Sequence, residues 1–455
     1  MHQRIAAIVL SVSVLATALI AAHPPAAEAA IDRIAGSDRF QTSVQVSDAM
    51  GASRGGVVYL ANGLAFPDAL AAAPVAAAED ARLLLSAPWD IPDSVVAEIR
   101  DLAPREIVLV GGEPSLSEAV RAEAASLAPT ITRIAGSDRV ETSMLLLDRR
   151  RSLPVAQPTQ LWIVSGWNFP DALAAGAVAA RDGHALVLTG GDQPAFRDML
   201  TARMGGIPRI NVAGGTPSVS DAVVGFARTL ATTNRYAGSD RFQTAVVINR
   251  AFTSSAAGGR MLLASGQNFP DGLVASVLAA HRGQPLYLVP QACVLDDAVA
   301  GEMARLGIRD TTVIGGTPSV SAAASRLERC VDLGAVQAEV ISIVNAHRAN
   351  VGLPALTPHG GLTTMAQGWS GQMAAAQSMV HSTTFCNETF AMGFRRCAEN
   401  IARTGSASAG GVMNAWMNSA GHRANILNPN LTHIGVGVVQ GPDGRWYWTQ
   451  NFGGF

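Results

Sequence analysis

The chain has 455 residues, of which 48% are apolar and 15% are charged. It is long and apolar enough to fold into several domains with sizeable cores, which excludes a mainly disordered protein. The formal net charge is −2 and no block of like charge occurs, which argues against broad binding to nucleic acids. All 33 basic residues are arginine, so the chain lacks the lysine of a phosphate-binding loop and the amine that Schiff-base catalysis needs.

Residues 1–29 have the features of a signal peptide for export. Two basic residues, His2 and Arg4, precede an apolar run over residues 5–22, and small residues at 27–29 fit a cleavage site. The run is nearly long enough to span a bilayer, so an uncleaved membrane anchor is the alternative. The two prolines at 24–25 favour cleavage, and no later segment has the character of a membrane span. We therefore expect the mature chain to lie outside the cytoplasm.

Three sequence motifs recur in the same order with a period of about 100 residues. The copies are RIAGSDRFQT at 33–42, with variants at 133–142 and 235–244; NGLAFPDAL at 62–70, with variants at 166–174 and 266–274; and VGGEPSLS at 110–117, with variants at 213–220 and 314–321. Three motifs that share one period indicate a threefold internal repeat. We place the first repeat at residues 30–129, the second at 130–231 and the third at 232–332.

Each repeat alternates strand-like with helix-like segments. In the first repeat the strand-like segments GVVYLA, RLLLS and EIVLVGG are each followed by a helix-like segment. These strands are continuous apolar runs, which is typical of a parallel sheet covered by helices on both faces. The sequence therefore predicts three tandem α/β modules. The polar motifs lie between strand and helix, so we expect them at the carboxyl edge of each sheet, where α/β folds bind ligands and helix N-termini favour anions.

The polar residues of these motifs have a structural explanation that competes with a binding role. Helix N-caps or first turns are expected at Asp38, Asp138, Asp240, Asp68, Asp171, Asp271, Ser117, Ser220 and Ser321. A cap does not need the arginine that follows the first three of these aspartates. Arg39, Arg139 and Arg241 are therefore candidates either for pairing with an aspartate of a neighbouring repeat or for binding an acidic ligand.

The segments AGSDRFQT, FPDALAA and GGTPSVS resemble the type 2 cell-wall-binding repeats of Gram-positive surface proteins, over about residues 31 to 331. The resemblance implies a pseudo-threefold set of α/β modules that attaches noncovalently to an anionic wall polysaccharide. It also implies a location at the cell wall, and the chain shows no covalent sorting motif such as LPxTG. Arg39, Arg139 and Arg241 are then the candidates for contact with the polymer.

Four cysteines fit an oxidising compartment: Cys293, Cys330, Cys386 and Cys397. Their proximity in sequence suggests two disulfides, Cys293–Cys330 and Cys386–Cys397. Loops of these lengths would stabilise the fold by roughly 4 and 3 kcal/mol in the chain-entropy model. Neither pair has the CxxC spacing of a redox site or of a cysteine-ligated zinc site.

The composition changes after Cys330, and residues 335–455 form a different domain. A first helix is predicted from about residue 336, and a second over LTTMAQGWSGQMAAAQSMV at 362–380. GPDG at 441–444 lies between two strand-like segments and predicts a hairpin turn. These elements indicate a mixed domain of helices and antiparallel strands. It contains no HExxH, GxSxG, EF-hand or P-loop motif.

Three dispersed residues of this domain carry potential chemistry: His381, Glu399 and His422. Two imidazoles and a carboxylate can bind Zn²⁺, or they can act as a base and its orienting partner. The structural alternative is that they satisfy each other's hydrogen bonds in a partly buried cleft.

The ordered segments NAHRANVGLPAL, MVHS, AENIA, WMNSAGHRANIL, HIGVGVV and YWTQNFG resemble the CAP superfamily of cysteine-rich secretory, antigen 5 and pathogenesis-related-1 proteins. The resemblance covers residues 336–455. It implies an α-β-α sandwich whose cleft is lined by two histidines and up to two glutamates, here His381, Glu399 and His422. The position of the second glutamate holds Ser419, and the remaining two histidines and one glutamate are compatible with zinc.

The sequence thus predicts an exported, wall-attached protein that displays a CAP domain, and it leaves the role of that domain open. The first hypothesis is that the domain binds a ligand of one of three kinds: a small apolar molecule such as a lipid, a peptide, or a metal ion. The rival is a wall-tethered, metal-dependent hydrolase that uses His381, Glu399 and His422. No nucleic-acid partner is expected.

Overall fold

The computed structural model describes residues 30–51 and 53–455, so the predicted signal peptide at 1–29 lies outside the described residues. The described chain forms two compact units, which divide between Arg329 and Cys330. We call them the repeat unit and the C-terminal unit. No helix of the described residues is both long and apolar enough to cross a membrane.

Within the described residues, each repeat supplies four strands and four α-helices. The first contains β1 (Ile31–Ile34), α1 (Arg39–Asp48), β2 (Val57–Asn62), α2 (Ala72–Ala78), β3 (Arg82–Ser86), α3 (Asp93–Leu102), β4 (Glu106–Val110) and α4 (Glu118–Ala124). The second contains β5 (Thr130–Ile134), α5 (Arg139–Ser152), β6 (Gln160–Ser165), α6 (Pro170–Asp182), β7 (Ala185–Thr189), α7 (Pro194–Arg203), β8 (Arg209–Ala213) and α8 (Asp221–Leu230). The third contains β9 (Thr232–Tyr236), α9 (Arg241–Phe252), β10 (Arg260–Ser265), α10 (Pro270–Arg282), β11 (Leu286–Val289), α11 (Ala298–Leu306), β12 (Asp310–Ile314) and α12 (Ala322–Ser325).

The strands form three parallel four-stranded sheets, which confirms three α/β modules with parallel sheets. Their orders are β3-β2-β4-β5, β7-β6-β8-β9 and β11-β10-β12-β1. The outermost strand of each sheet therefore comes from the start of the next repeat, and the first strand of the chain completes the third sheet. Ile31 pairs with Thr311 and Ile34 with Ile314 in that closing contact. The structural modules are offset from the sequence repeats by one strand, and the three modules close on one another.

The apolar content of the central strands explains why both sheet faces are covered. Every residue of β2, for example, is buried. Each repeat has its own outer core, and all three share a central core in which α2, α6 and α10 pack together. The rings of Phe66, Phe169 and Phe269 meet at this centre with centroid distances of 5.6, 5.8 and 6.2 Å. Three equivalent aromatic contacts are the mark of the predicted pseudo-threefold arrangement.

The C-terminal unit is a helix-sheet-helix sandwich. It contains α13 (Leu333–Ala349), β13 (Thr357–Pro358), α14 (Gly360–Ala376), α15 (Phe385–Ala391), β14 (Arg396–Thr404), α16 (Ala409–Asn418), α17 (Ala420–Ile426), β15 (His433–Gln440) and β16 (Trp446–Gly454). The sheet order is β13-β15-β16-β14, with β15 and β14 both antiparallel to β16 and β13 parallel to β15. Helices α13 and α16 pack on one face of this sheet, and α14 packs on the other.

Two glycines of β15 let α14 lie directly on the sheet. A Cβ added at Gly435 would come within 2.1 Å of the backbone of Leu362, and one at Gly437 within 2.2 Å of the backbone of Ala366. The alternating glycines of HIGVGVV are therefore packing residues, because any side chain there would push the helix off the strand.

The disulfide Cys386–Cys397 joins α15 to β14, with a Cα–Cα distance of 5.4 Å. Cys293 and Cys330 are also disulfide-bonded, and no cysteine of the described residues is free. The prediction that all four cysteines are oxidised is confirmed.

Candidate functional sites

The three recurring motifs of the repeat unit meet at the carboxyl edge of each sheet. The predicted caps are confirmed: the side chains of Asp38, Asp138 and Asp240 accept the N–H groups of Gln41, Glu141 and Gln243, and those of Ser117, Ser220 and Ser321 accept the N–H groups of Val120, Val223 and Ala324. These residues fix the helix starts, as their cap spacing predicts.

The aspartates of the FPD motif have a different partner. The Ser115 hydroxyl donates to Asp68 Oδ2 at 2.5 Å, and Ser218 and Ser319 bond Asp171 and Asp271 in the same way. The first glycine of each Gly-Gly pair has a positive φ, and a Cβ there would lie 2.2 to 2.5 Å from the aspartate Oδ2. The carboxylate thus occupies space that only glycine leaves free.

Arg39, Arg139 and Arg241 are held by their own repeats. Each donates from Nη1 to the carbonyl of the glycine that follows the second strand of its repeat, namely Gly63, Gly166 and Gly266, at 2.9, 2.8 and 2.8 Å. The positive charge of Arg39 also favours the ionised form of Asp271 in the third repeat, and that of Arg241 favours the ionised form of Asp171 in the second. Burial raises the pKa of both aspartates, and the arginine charges oppose that rise. Two of the three arginines thus have an electrostatic effect on an aspartate of a neighbouring repeat, while ion pairing and contact with a polymer stay predictions.

A second set of arginines at this edge was not expected. Arg33, Arg133 and Arg235, six residues before the set above, donate to the carbonyls of Gly315, Gly111 and Gly214 at 2.6, 2.9 and 2.8 Å. Each therefore ties the first strand of one repeat to the Gly-Gly loop of a neighbouring repeat, and Arg33 in this way joins the first repeat to the third. Their presence in all three copies of the RxAGSDR motif was the signal that sequence reasoning passed over.

A cleft of about 160 Å³ lies between the first and third repeats. It is lined by Arg39 and Thr42 from one side and by Asn268, Asp271 and Ser319 from the other. It is smaller than the roughly 300 to 1,000 Å³ pockets that enclose a whole small molecule. A space of this size suits one polar group of a longer ligand.

In the C-terminal unit, the structure brings the predicted residues together. His381, in the segment between α14 and α15, lies with its Nδ1 2.8 Å from Oε1 of Glu399 on β14. The backbone N–H of Ser382 donates to the same oxygen at 3.0 Å. Burial raises the pKa of Glu399, and these hydrogen bonds hold the rise in check. Glu399 is only 4% exposed, so it is a carboxyl group with little access to water.

His422 on α17 completes the set. Burial and the charge of the nearby His381 lower the pKa of its imidazole, which favours the neutral form. Asn400 Nδ2 donates to the His422 carbonyl at 3.2 Å, and Asn425 Nδ2 donates to Asn400 Oδ1 at 2.9 Å. These two asparagines position α17 against β14, and sequence reasoning did not single them out because isolated asparagines carry no spacing signal.

Ser419 stands at the junction of α16 and α17, where its N–H donates to the Trp416 carbonyl at 3.1 Å. Among residues 30–51 and 53–455, no group of three or more His, Cys, Asp or Glu side chains is arranged to hold a metal ion. The donor set therefore does not fit a three-ligand zinc site, and we assign no chemical step to zinc. Metal binding by His381 and His422 alone stays a prediction.

Comparison with protein families places both units. The family described as cell wall binding domain 2 matches residues 33–121, 133–224 and 235–325, and the cysteine-rich secretory protein family, CAP, matches residues 341–452. The chain belongs to the cell wall binding domain 2 family and carries a CAP domain. The two resemblances in the sequence are confirmed, and the wall-binding repeats mark the chain as a cell-wall-associated surface protein.

Individual relatives cover parts of the chain. It is 27% identical to N-acetylmuramoyl-L-alanine amidase LytC of Bacillus subtilis over 298 aligned residues. The aligned region covers 65% of this chain and 57% of that protein. It is 38% identical over 126 residues to the uncharacterized protein YkwD of the same organism, over 26% of this chain and 48% of that protein. The solved structure of Cwp6 from Clostridium difficile has a TM-score of 0.58 at 26% identity, and covers 66% of this chain and 48% of its own. The chain spans about half the length of these relatives.

Proposed function

We propose that the wall-binding repeats hold the protein noncovalently on an anionic wall polysaccharide after export through the signal at 1–29. The observation that carries this proposal is the presence of an arginine at the carboxyl edge of each repeat, one of them, Arg39, beside a small polar cleft. A polymer with regularly spaced anionic groups can contact several such edges together, so weak individual contacts add up.

Sedimentation with purified walls of a Gram-positive bacterium tests retention. The full chain and residues 31–331 should sediment with native walls at moderate salt, and much less with walls stripped of their anionic polymers. A repeat fragment that is folded but stays in the supernatant with native walls would rule the proposal out. Equal binding to native and stripped walls would show that the ligand is not the anionic polymer.

The CAP domain is displayed at the wall, where we propose that it binds a small ligand: an apolar molecule, a peptide or a metal. Calorimetry with Zn²⁺ tests whether the ligand is a metal. Tight binding by the wild type that is lost in His422→Ala supports a metal site, and equal weak binding by both proteins removes the metal from the set of ligands.

A second candidate function is hydrolysis. The specific observation in its favour is a buried carboxyl group with a raised pKa, Glu399, bonded to His381, since general acids and bases often have such environments. If the domain is a hydrolase, Glu399→Gln should abolish release of peptide or wall fragments while the protein stays folded. Unchanged release by that variant would leave ligand binding as the function of the domain.

A further inference from the structure

The CAP domain has a second cleft, of about 500 Å³, beside the His381 site. Trp369 and Met365 of α14 line one wall, and Ser382, Thr384 and Glu388 line the opposite wall. Asn451 of β16 contributes to the lining from the sheet. The volume is that of a pocket for a molecule of several residues or rings.

The floor of this cleft has polar atoms without partners. Asn451 and Glu399 are direct partners across β16 and β14, so their side chains lie on the same face of the sheet. Within the described residues, Asn451 Oδ1, Asn451 Nδ2 and Glu399 Oε2 are buried and make no hydrogen bond. Buried polar groups in folded proteins almost always have a partner, so we expect one from outside the chain. Asn451 itself is fully buried.

The charge of the cleft restricts the partner. Glu388 is exposed at the wall, where its Oε1 accepts the Thr384 hydroxyl, and Glu399 is the cross-strand neighbour of Asn451. The lining contains no arginine or histidine, and the chain has no lysine. An anionic ligand would therefore face the Glu388 carboxylate with no cationic side chain in the lining, whereas an ammonium group would be stabilised there. The cleft does not suit the anionic polymer that we assign to the repeats.

We propose that this cleft binds a short peptide that carries a free amino group. This inference rests on the proposed role of the CAP domain as a ligand-binding module and narrows the ligand to one class. The Asn451 amide offers a donor and an acceptor in one plane, which complements the C=O and N–H of a peptide bond. The ammonium group lies toward Glu388, and the indole of Trp369 and the thioether of Met365 cover the apolar part of the peptide.

Calorimetry on the full chain with the tripeptide amide alanyl-alanyl-lysine amide tests the proposal. Saturable binding is expected, and acetylation of both amino groups should weaken it about tenfold or more because the charge contact with Glu388 is lost. Glu388→Gln should weaken binding of the free peptide to a similar extent and leave the affinity for the acetylated peptide unchanged. Glu339→Gln removes an exposed carboxylate outside the cleft and should leave both affinities unchanged.

Asn451→Leu tests whether the Asn451 amide on the floor of the cleft binds the peptide. Leucine has the same branched arrangement of side-chain heavy atoms and replaces two unpartnered polar atoms by methyl groups, so the melting temperature should hold or rise while peptide affinity falls about tenfold or more. A fall in melting temperature with affinity unchanged would mean that a buried water partners Asn451, and would overturn the proposal.

Three further results would also overturn it: no saturable binding of the free peptide, equal binding of free and acetylated peptides, or binding of N,N′-diacetylchitobiose in place of the peptide. The last result would assign the cleft to an acetamido sugar. Retention on walls is measured separately on the same protein, so loss of wall binding is distinguished from failure of the peptide site.

Discussion

Three carboxylates of the wall-binding repeats occupy positions that a side chain would otherwise fill, and this makes single glycines sensitive sites. Gly214 has a φ of +99°, and an added Cβ would lie 2.3 Å from Asp171 Oδ2. In Gly214→Ala we expect a loss of about 2 to 4 kcal/mol in the free energy of unfolding, because the backbone is strained and Asp171 must leave Ser218. Urea titration followed by circular dichroism measures the loss.

The adjacent glycine is the matched control. Gly215 has its nearest atom, Pro217 Cδ, at 3.5 Å from an added Cβ and needs no positive φ. Gly215→Ala should therefore change the free energy of unfolding by less than about 1 kcal/mol. Equal losses in the two variants would show that the aspartate does not depend on the space at Gly214.

The buried carboxyl of Glu399 should make the stability of the CAP domain depend on pH. Its pKa is raised in the folded state, so its contribution to stability is fully present below the unfolded pKa of about 4.3 and is lost as pH rises through the folded value. Glutamine does not titrate. The melting temperature of Glu399→Gln relative to wild type should therefore increase as pH rises from about 4 to 7.

Differential scanning calorimetry of the CAP transition measures this trend, with Glu339→Gln as the control. Glu339 is exposed on α13, so its replacement should give a difference that is flat across the same pH range. A difference for Glu399→Gln that falls with pH would mean that the ionised carboxylate is the stabilising form.

At the scale of elements, the sequence predicted the parallel sheets, the helix caps and the C-terminal hairpin because each rests on local patterns. It could not assign the strands of the RxAGSDR motif to their sheets. Those strands are identical in pattern in each repeat, and whether Ile31–Ile34 joins the first or the third sheet depends on long-range pairing. The backbone contact of α14 with Gly435 and Gly437 was hidden for the same reason, since alternating glycines in a strand do not identify their neighbour.

The closing strand gives a prediction at this scale. Deletion of residues 31–34 should destabilise the third sheet, although the deleted residues belong to the first repeat. It removes one of the two strands that pair with β12, the other being β10, and it removes the Arg33 bonds to the carbonyls of Gly315 and Val320. Hydrogen exchange of the β12 amides should speed up about tenfold or more, because the deletion turns β12 into an edge strand, which opens locally more easily.

The first sheet supplies the internal control. Strand β4 keeps its partner β5 in the deletion variant, so its amides should exchange as in the full chain. Faster exchange at β4 with unchanged β12 would mean that the first strand belongs with its own repeat.

At the scale of the whole molecule, the sequence identified His381, Glu399 and His422 and the three arginines but not what surrounds them. These six residues could be found because each belongs to a motif whose order along the chain is read directly from the sequence. The second CAP cleft was not predicted because Trp369, Glu388 and Asn451 are far apart in sequence, and only Asn451 lies in one of the quoted segments, YWTQNFG. Likewise the electrostatic effect of Arg39 on Asp271 joins the first and third repeats, and it depends on the closure of the modules on one another.

The threefold arrangement predicts how wall retention should depend on Arg39, Arg139 and Arg241. If each edge contacts the same polymer, one Arg→Gln substitution should weaken wall binding several-fold, and the triple variant should weaken it about a hundredfold or more, since linked contacts reinforce one another. Sedimentation over a series of salt concentrations measures this, and the triple variant should also show a shallower salt dependence because it makes fewer charge contacts.

The structural role of these arginines must be separated from binding, because each also donates to a glycine carbonyl. A triple substitution of Arg100, Arg228 and Arg309, which are exposed in the three repeats, removes the same charge and should leave retention nearly unchanged. Melting curves of both triple variants show whether they are folded at the assay temperature. If the Arg39, Arg139 and Arg241 variant melts earlier but, while folded, sediments like wild type, these arginines only join the repeats and the polymer contacts another surface. Loss of retention in a folded protein, confined to this set, would instead assign the polymer to the three edges.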